Sequence, residues 1–478
     1  MKILIRAVLR ADKSLCVDLG IMSCLTNACL YVNWIFRIID HQPKEEVLML
    51  SRIFSKFASK KSKRPTKPRF PHYYPAIISD RELHDFMSDE EYKNICKFPI
   101  VSIFPQCNSY DDDDLLFASV GLSQVIIRNL MLVKNLSIRG PEDTHLFFSD
   151  EFEEYLSYMK GSDYLITGNL SYDNGFTINT TLYAPDGISD FSVSESNLNK
   201  FIIEYCKILT LKLGGQITTE LENQWMYGQP SNLEKLIDYG SIIYAAKTKS
   251  DSDDQAMDRA ILKLFNSDPK FVLPLYELSD YSNRLEMLLH GLHNDPYDAQ
   301  LCFLLFIALW KSEGPQKEAF QFVRKAIELS PGHGKAHMCA PHAAVWRDSL
   351  LRHSELGYRL LPGNTFAINN YLVYLEIAGD SSKALIGLAK EGMENDPYDP
   401  TNYNRIIEIY TSQNKYSKAL DYAEKLSVLY GPPINDRTLY CLKQNPALKK
   451  MLESGRYDPA REHKKLLTEL KQLVISGE

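Results

Sequence analysis

The sequence predicts a multidomain α+β chain in which a small α/β sandwich precedes an all-α solenoid of helix-turn-helix repeats. Prolines return near the ends of helical units at Pro269, Pro296, Pro331, Pro362, Pro397 and Pro432, with gaps of 27, 35, 31, 35 and 35 residues. A period of about 34 residues with helical patterning between the stops marks helix-turn-helix repeats. Residues 99–215 have a different rhythm of short strands and helices. The string Asn-Asp-Pro-Tyr-Asp occurs twice, at Asn294–Asp298 and Asn395–Asp399. The expected organisation is a basic helical segment with a Pro/Lys-rich linker over 1–72, an α/β domain over 95–216, repeats over 230–440 and a helical cap over 441–478.

Composition places the chain among soluble globular proteins, with 45% hydrophobic and 24% charged residues. The net charge of −7 hides an asymmetry, because residues 1–72 carry fourteen Lys and Arg against five Asp and Glu. Nine cysteines, an odd number without a CxxC pair, point to a reducing compartment and away from a disulfide framework. Leu19–Phe36 is uncharged over 18 residues, near the lower length of a membrane span. Ser23, Thr26, Asn27 and Asn33 lie inside it, and their polar groups favour a buried helix over an anchor. Lys60–Arg69 mixes prolines with clustered cations and reads as a solvated linker. The sharper alternative is a patch for acidic lipid or nucleic-acid phosphate. A cytoplasmic protein is expected, with a membrane-anchored one as the alternative.

In the middle domain, Pro99–Phe104 is a strand and Cys107–Asp114 a polar loop. Leu115–Val133 is an amphipathic helix interrupted by Gly121, and Leu136–Arg139 is a second strand. A helix over Phe152–Lys160 leads to a strand over Asp163–Ser171. Asp173–Gly175 is a hairpin turn, since Asn174-Gly175 supplies the positive φ angles such turns need. Phe176–Tyr183 and Ile188–Val193 are strands joined through Ala184–Gly187, and Asn197–Leu213 is the closing helix.

In the unit from Thr401, Tyr403, Ile406, Ile407 and Tyr410 form one helical stripe, Ser412–Lys415 is a turn, and Ala419, Tyr422, Ala423 and Leu426 form the second stripe. Gly431 and Pro432 end it, since glycine accepts the left-handed cap and proline cannot continue a helix. The unit from Gln300 repeats this with Phe303, Phe306, Ile307 and Trp310, a turn at Gly314-Pro315, then Ala319, Phe320, Val323 and Ala326. The unit from Thr365 does so with Leu372, a turn at Gly379-Asp380 and Ala384. These units resemble tetratricopeptide repeats, although Ile307 and Ile407 stand where that pattern has an early glycine. The unit after Pro331 is short and carries Pro341 inside its first helix.

The middle domain resembles the TolB amino-terminal-like domain. The matching features are Phe104-Pro105, the polar Asn108-Ser109, Gly121 before a helix, Tyr164–Gly168, and Asn174-Gly175 leading into Thr177–Tyr183. In that family the domain precedes tetratricopeptide arrays in bacterial regulators of the HilA and CadC type. The resemblance implies a transcription-linked regulatory or adaptor role. No winged-helix DNA-binding unit and no cyclase metal site is legible in the sequence, so DNA contact stays open. The alternative is a membrane-anchored envelope or assembly scaffold.

An array of this kind works by holding another molecule. The expected groove residues are Asn369, Asn370 and Tyr374 on one first helix and Asn404, Arg405 and Glu408 on the next, read as exposed and able to grip a protein or peptide. His333, His337, Cys339, His342 and His353 are the densest possible metal ligands, and His333 and His337 lie four apart. They fall where a repeat loop enters a helix, and ordinary loop and groove histidines are the preferred reading. Asp111–Asp114 lacks the glycine and terminal glutamate of a calcium loop. With no phosphate loop, Gly-x-Ser-x-Gly or coherent Ser/His/Asp set, the expectation is a non-enzyme with no metal and no cofactor.

Overall fold

The computed structural model describes residues 87–105, 113–140, 161–248, 254–278, 281–313, 317–343, 347–379, 382–431, 434, 436–443 and 451–476. Leu19–Phe36, the Lys60–Arg69 linker, the Phe152–Lys160 helix and the Gly314-Pro315 turn lie outside these residues. The chain divides into two compact units with the boundary between Gly363 and Asn364.

The first unit opens with α1 (Asp89–Ile95), started by a capping box in which Glu91 N–H donates to Ser88 Oγ at 3.2 Å and Ser88 N–H to Glu91 Oε2 at 2.8 Å. The five strands are β1 (Ile100–Ile103), β2 (Ser137–Arg139), β3 (Tyr164–Ser171), β4 (Phe176–Ala184) and β5 (Gly187–Glu195). They form one sheet in the order β2-β1-β3-β4-β5. β1 is parallel to β2 and β3, and every residue of β1 is buried, as expected of an inner parallel strand. β3, β4 and β5 are antiparallel neighbours. On β4, Ile178, Thr180 and Leu182 are buried at period two, which fixes the face turned to the core. The tight turn is Pro185-Asp186, closed by the pairing of Ala184 with Gly187. The expected β3–β4 hairpin is present, with Ser171 paired to Thr177, but of Asp173, Asn174 and Gly175 only Gly175 has positive φ, at 154°.

α2 (Asp113–Leu130) joins β1 to β2, and α3 (Leu198–Lys212) follows β5. Asn197 caps α3, its side chain accepting from Lys200 N–H at 3.1 Å. Phe201 and Tyr205 of α3 are fully buried, and the Tyr205 and Thr180 hydroxyls are bonded at 2.9 Å. α2 is buried at every residue from Ala118 to Leu130, so it is covered on all sides. The cover on one side is α3, and on another it is α5 (Leu233–Thr248), which follows the short α4 (Thr219–Trp225). The α2–α5 crossing is closed by two glycines. A Cβ on Gly121 would lie 2.5 Å from the Leu236 carbonyl, and one on Gly240 would run into the Phe117 carbonyl. Gly121 therefore does not interrupt α2 but lets a second helix approach it.

The remaining helices of this unit are α6 (Asp254–Ser267), α7 (Tyr281–Asn294), α8 (Ala299–Glu313), α9 (Lys317–Leu329), α10 (Gly334–Ala343) and α11 (Arg347–Leu360), with a 3-10 turn over Leu273–Glu277. α8–α9 and α10–α11 are helical hairpins, and α9 also packs on α10. Pro341 sits inside α10, which is only 10 residues long.

The second unit contains α12 (Thr365–Ala378), α13 (Ser382–Asn395), α14 (Pro400–Ser412), α15 (Tyr416–Leu429), α16 (Asp436–Lys443) and α17 (Pro459–Ile475). α12–α13 and α14–α15 are hairpins, and α13 packs on α14. Gly379 ends α12 in the left-handed conformation at φ 81°, and Asn414 turns the α14–α15 hairpin at φ 57°. α17 lies on α15, adding Leu470 to a core of Ala419, Ala423 and Leu426. The architecture is thus a small five-stranded sheet followed by tetratricopeptide-like helical hairpins.

Candidate functional site

The six predicted groove residues all lie on α12 and α14, the first helices of consecutive hairpins. Their expected exposure is corrected by the structure. Asn369, Tyr374 and Arg405 are buried, while Asn370, Asn404 and Glu408 are half-buried. The cause is contact between elements, since a polar stripe that looks solvated on an isolated helix is covered when hairpins stack. Arg405 Nη1 donates to Glu376 Oε2 at 2.8 Å, tying α14 to α12. Glu376 keeps 44% of its side chain exposed, so this pair reaches the surface. Asn404 instead bonds the Tyr430 hydroxyl beyond the end of α15. Arg405 and Asn404, adjacent in sequence, therefore serve different contacts.

A second constellation lies wholly within the first unit and joins its sheet domain to its helices. The two Asn-Asp-Pro-Tyr-Asp strings extend to Gly291–Asp298 and Gly392–Asp399, each opening on glycine. Their backbones fold alike. Asp295 Oδ1 accepts from Tyr297 N–H at 3.2 Å, and Asp396 Oδ1 from Tyr398 N–H at 3.2 Å. Asp298 caps α8 through Leu301 N–H at 2.8 Å, and Asp399 caps α14 through Thr401 N–H at 2.9 Å. In the first copy the free sides of both carboxylates meet Arg128 from α2. Arg128 Nη2 is bonded to Asp295 Oδ2, its Nε is 3.9 Å from Asp298 Oδ2, and its Nη1 donates to Gln224 O at 3.1 Å. Tyr276 completes the cluster, its hydroxyl donating to Asp298 Oδ2 at 2.6 Å. Gly228 leaves room for it, since a Cβ there would come within 2.7 Å of Asp295 Oδ2.

All four side chains are buried. Burial would lower the Arg128 pKa, but the charges of Asp295 and Asp298 outweigh it and hold it up. Burial raises both carboxyls despite the guanidinium, and with Asp295 beside it Asp298 is pushed up to about 6. The same stretch of chain supplies two further cations. Lys134 Nζ donates to the Glu328 and Leu329 carbonyls at the end of α9, where a cation is favoured by the helix dipole. Arg139 Nη2 donates to Pro362 O. Ser137 Oγ donates to Gly332 O at 2.9 Å. Three cations from α2, β2 and the turn between them thus hold three successive repeat ends. Sequence reasoning singled out the repeated string but not its arginine, which is 167 residues away.

The histidines are also placed. His337 Nδ1 and His353 Nδ1 are 2.9 Å apart, and His337 Nε2–H donates to Pro331 O at 2.8 Å. His333 Nε2 is instead 3.1 Å from Gln300 Oε1. The two members of the His337–His353 pair face each other and not a shared ion. Among the described residues no group of three His, Cys, Asp or Glu is placed to hold a metal. Burial lowers His337 to about 4 and His353 well below its usual value. Among the described residues no helix is long and apolar enough to cross a membrane.

Fold and contacts together define a tetratricopeptide-like repeat protein with a mixed α/β domain clamped to its first repeats. Among solved structures, the chain is similar to a monomeric mutant of IFIT1 with Gppp-AAAA, at TM-score 0.35 and 11% identity over 83% of this chain and 84% of that one. It is also similar to a human IFIT1 dimer with PPP-AAAA, at TM-score 0.33 and 13% identity over 80% of this chain and 90% of that one. A human IFIT1 dimer with m7Gppp-AAAA gives TM-score 0.33 and 11% identity over 84% of this chain and 87% of that one. No protein-family model matches the chain. No curated protein matches it either.

Proposed function

We propose that this protein is a non-enzymatic interaction module, a regulatory or adaptor protein of the bacterial cytoplasm whose repeats hold a protein or peptide partner. The observation that carries this reading is the Arg405–Glu376 bridge between neighbouring first helices, with the Glu376 carboxylate still open to solvent. Asn370 and Glu408, both half-buried, are on the same two helices. A partner with its own charged or amide groups can exchange bonds with such a bridge, as wet polar interfaces do. The finer, transcription-linked version rests on the order of elements in residues 95–216 and their resemblance to the domain found in HilA- and CadC-type regulators.

The test is affinity capture with the full chain beside Glu376→Ala and Arg405→Ala, with retained protein identified by mass spectrometry. A protein held by the parent chain and lost from both folded variants is the expected result. Retention that is unchanged in both, or that disappears on ribonuclease treatment, would overturn the protein-binding groove.

A further inference from the structure

β5 is the outer strand at the edge of the sheet opposite β2, and the β2 edge is covered by the repeat ends. It is nine residues long and pairs with β4 in unbroken register from Ala184↔Gly187 to Phe176↔Glu195. It therefore has no bulge, and it contains neither proline nor lysine. Bulges, prolines and lysines are among the devices that blunt an exposed edge, and the exposed charge at the middle of this strand is Asp190 alone. Alternate residues of such a strand direct their peptide N–H and C=O groups away from the neighbour they already have. Val193 is buried and Phe191 half-buried toward α3, where the Tyr205 ring lies 6.1 Å away and Lys212 Nζ sits 4.8 Å above the Phe191 ring. Ile188, Asp190, Ser192 and Ser194 are exposed, Ile188 to 67%.

We infer that β5 pairs antiparallel with β5 of a second copy of this chain, extending the sheet across a two-fold axis at Phe191. The strand is complementary to itself in that register. Asp190 of each copy faces Ser192 of the other, a carboxylate opposite a hydroxyl. Ile188 faces Ser194, and Ser189 faces Val193. Phe191 meets its own copy beneath Lys212, which supplies a cation to both rings. No like charges are set against each other. Moving the axis to Asp190 would oppose two carboxylates, a pairing that is destabilising in an antiparallel ladder. A self-complementary patch on a two-fold axis closes the assembly at two copies.

The experiment is light scattering coupled to size exclusion on the full chain across a concentration series, with hydrogen exchange on the same samples. The mass is expected to rise from one chain to two, with the amides of residues 188–194 gaining protection as it does. The double substitution Asp190→Lys with Ser192→Lys sets cations against cations across the axis, and within one chain it removes the bond that Asp190 Oδ1 accepts from Thr181 Oγ1 at 2.7 Å. It should stay at the mass of one chain while still melting cooperatively, which shows that it is folded. A parent chain that remains single at every soluble concentration overturns the inference. So does a double variant that still doubles in mass, or a doubled mass with no added protection over 188–194.

Discussion

Arg128 ties two layers of the first unit together. It is the cation that balances two buried carboxylates, and it comes from a different layer of the fold. Removing one member of a buried ionic cluster leaves the others uncompensated, at a cost of about 3–5 kcal/mol. Arg128→Met is therefore expected to lower the unfolding free energy of residues 87–363 by that order, seen as a lower urea midpoint. Asp298→Asn is expected to be much milder, because asparagine still caps α8 and removes the excess negative charge. A chemical-denaturation series with both variants checks this, and equal losses would mean that the guanidinium is not the organising group. Glycines give a second contrast at the same scale. Gly240→Ala places a methyl against the Phe117 carbonyl and should destabilise by about 1–3 kcal/mol through overpacking. Gly387 on α13 has open space around it, so Gly387→Ala should stabilise by up to about 1 kcal/mol through helix propensity. The opposite signs, read from melting curves, separate contact from propensity.

At the level of elements, the buried His337–His353 pair makes the α10–α11 hairpin the place where acid is expected to act. With His337 Nε2–H donating to Pro331 O, His337 Nδ1 must accept and His353 Nδ1–H must donate. A proton on His337 would turn two N–H groups against each other. The folded pKa of His337 lies at about 4, below the 6.5 of the unfolded chain. Stability is therefore complete above about pH 6.5 and is lost as pH falls through 6.5 toward 4, by about 3 kcal/mol in all. Asp298 has the opposite sign. Its folded pKa of about 6 exceeds the unfolded 3.8, so its contribution is complete below 3.8 and is lost as pH rises through 6, again by about 3 kcal/mol. The two slopes oppose each other in one window. His353→Asn keeps a donor for His337 and relieves the crowding of two rings, so it should weaken the loss in acid. Asp298→Asn should leave the acid loss steeper than in the parent chain. Denaturation midpoints between pH 4 and 8 distinguish these outcomes.

The same scale shows which parts of the fold were legible. β4, α3 and the α14–α15 hairpin were readable because local periodicity and local caps determine them. Ile178, Thr180 and Leu182 alternate, Asn197 precedes the first turn of α3, and Ser412–Lys415 breaks two apolar stripes. The exposure of Arg405 and Asn369 was misread because hairpin stacking, not helix periodicity, decides it. The Arg128 cluster was invisible because nothing near Arg128 in the chain specifies Asp295. The duplicated string marked the repeat ends, but nothing in it distinguishes carboxylates that only cap a turn from carboxylates that also meet a buried arginine.

For the whole molecule, these contacts decide where the chain can be divided. Composition and rhythm place a domain boundary between residues 216 and 230. Across that stretch, however, Trp225 is fully buried and its Nε1–H donates to Asn129 O at 2.8 Å. α5 covers α2 just beyond it, and Arg128, Lys134 and Arg139 hold three repeat ends. A fragment starting at Ser231 would lose Arg128 while keeping Asp295 and Asp298, and would expose the face of α5 that Gly240 presents to α2. Such a fragment is expected to aggregate or to melt without a cooperative transition. A division at Gly363-Asn364 instead follows the boundary of the compact units, and the helices from α12 to α17 retain their own core of Ala419, Ala423, Leu426 and Leu470. The fragment from Asn364 to Glu478 is expected to melt cooperatively, with its helical circular dichroism intact. Limited proteolysis of the full chain gives an independent reading, since stable products should end near residue 363 and not near 220. Stable products bounded near 220, or a cooperative fragment starting at Ser231, would mean that the α/β domain is only appended to the repeats. The cation contacts argue instead that it is the structural start of the array, supplying the charges that close the repeat ends.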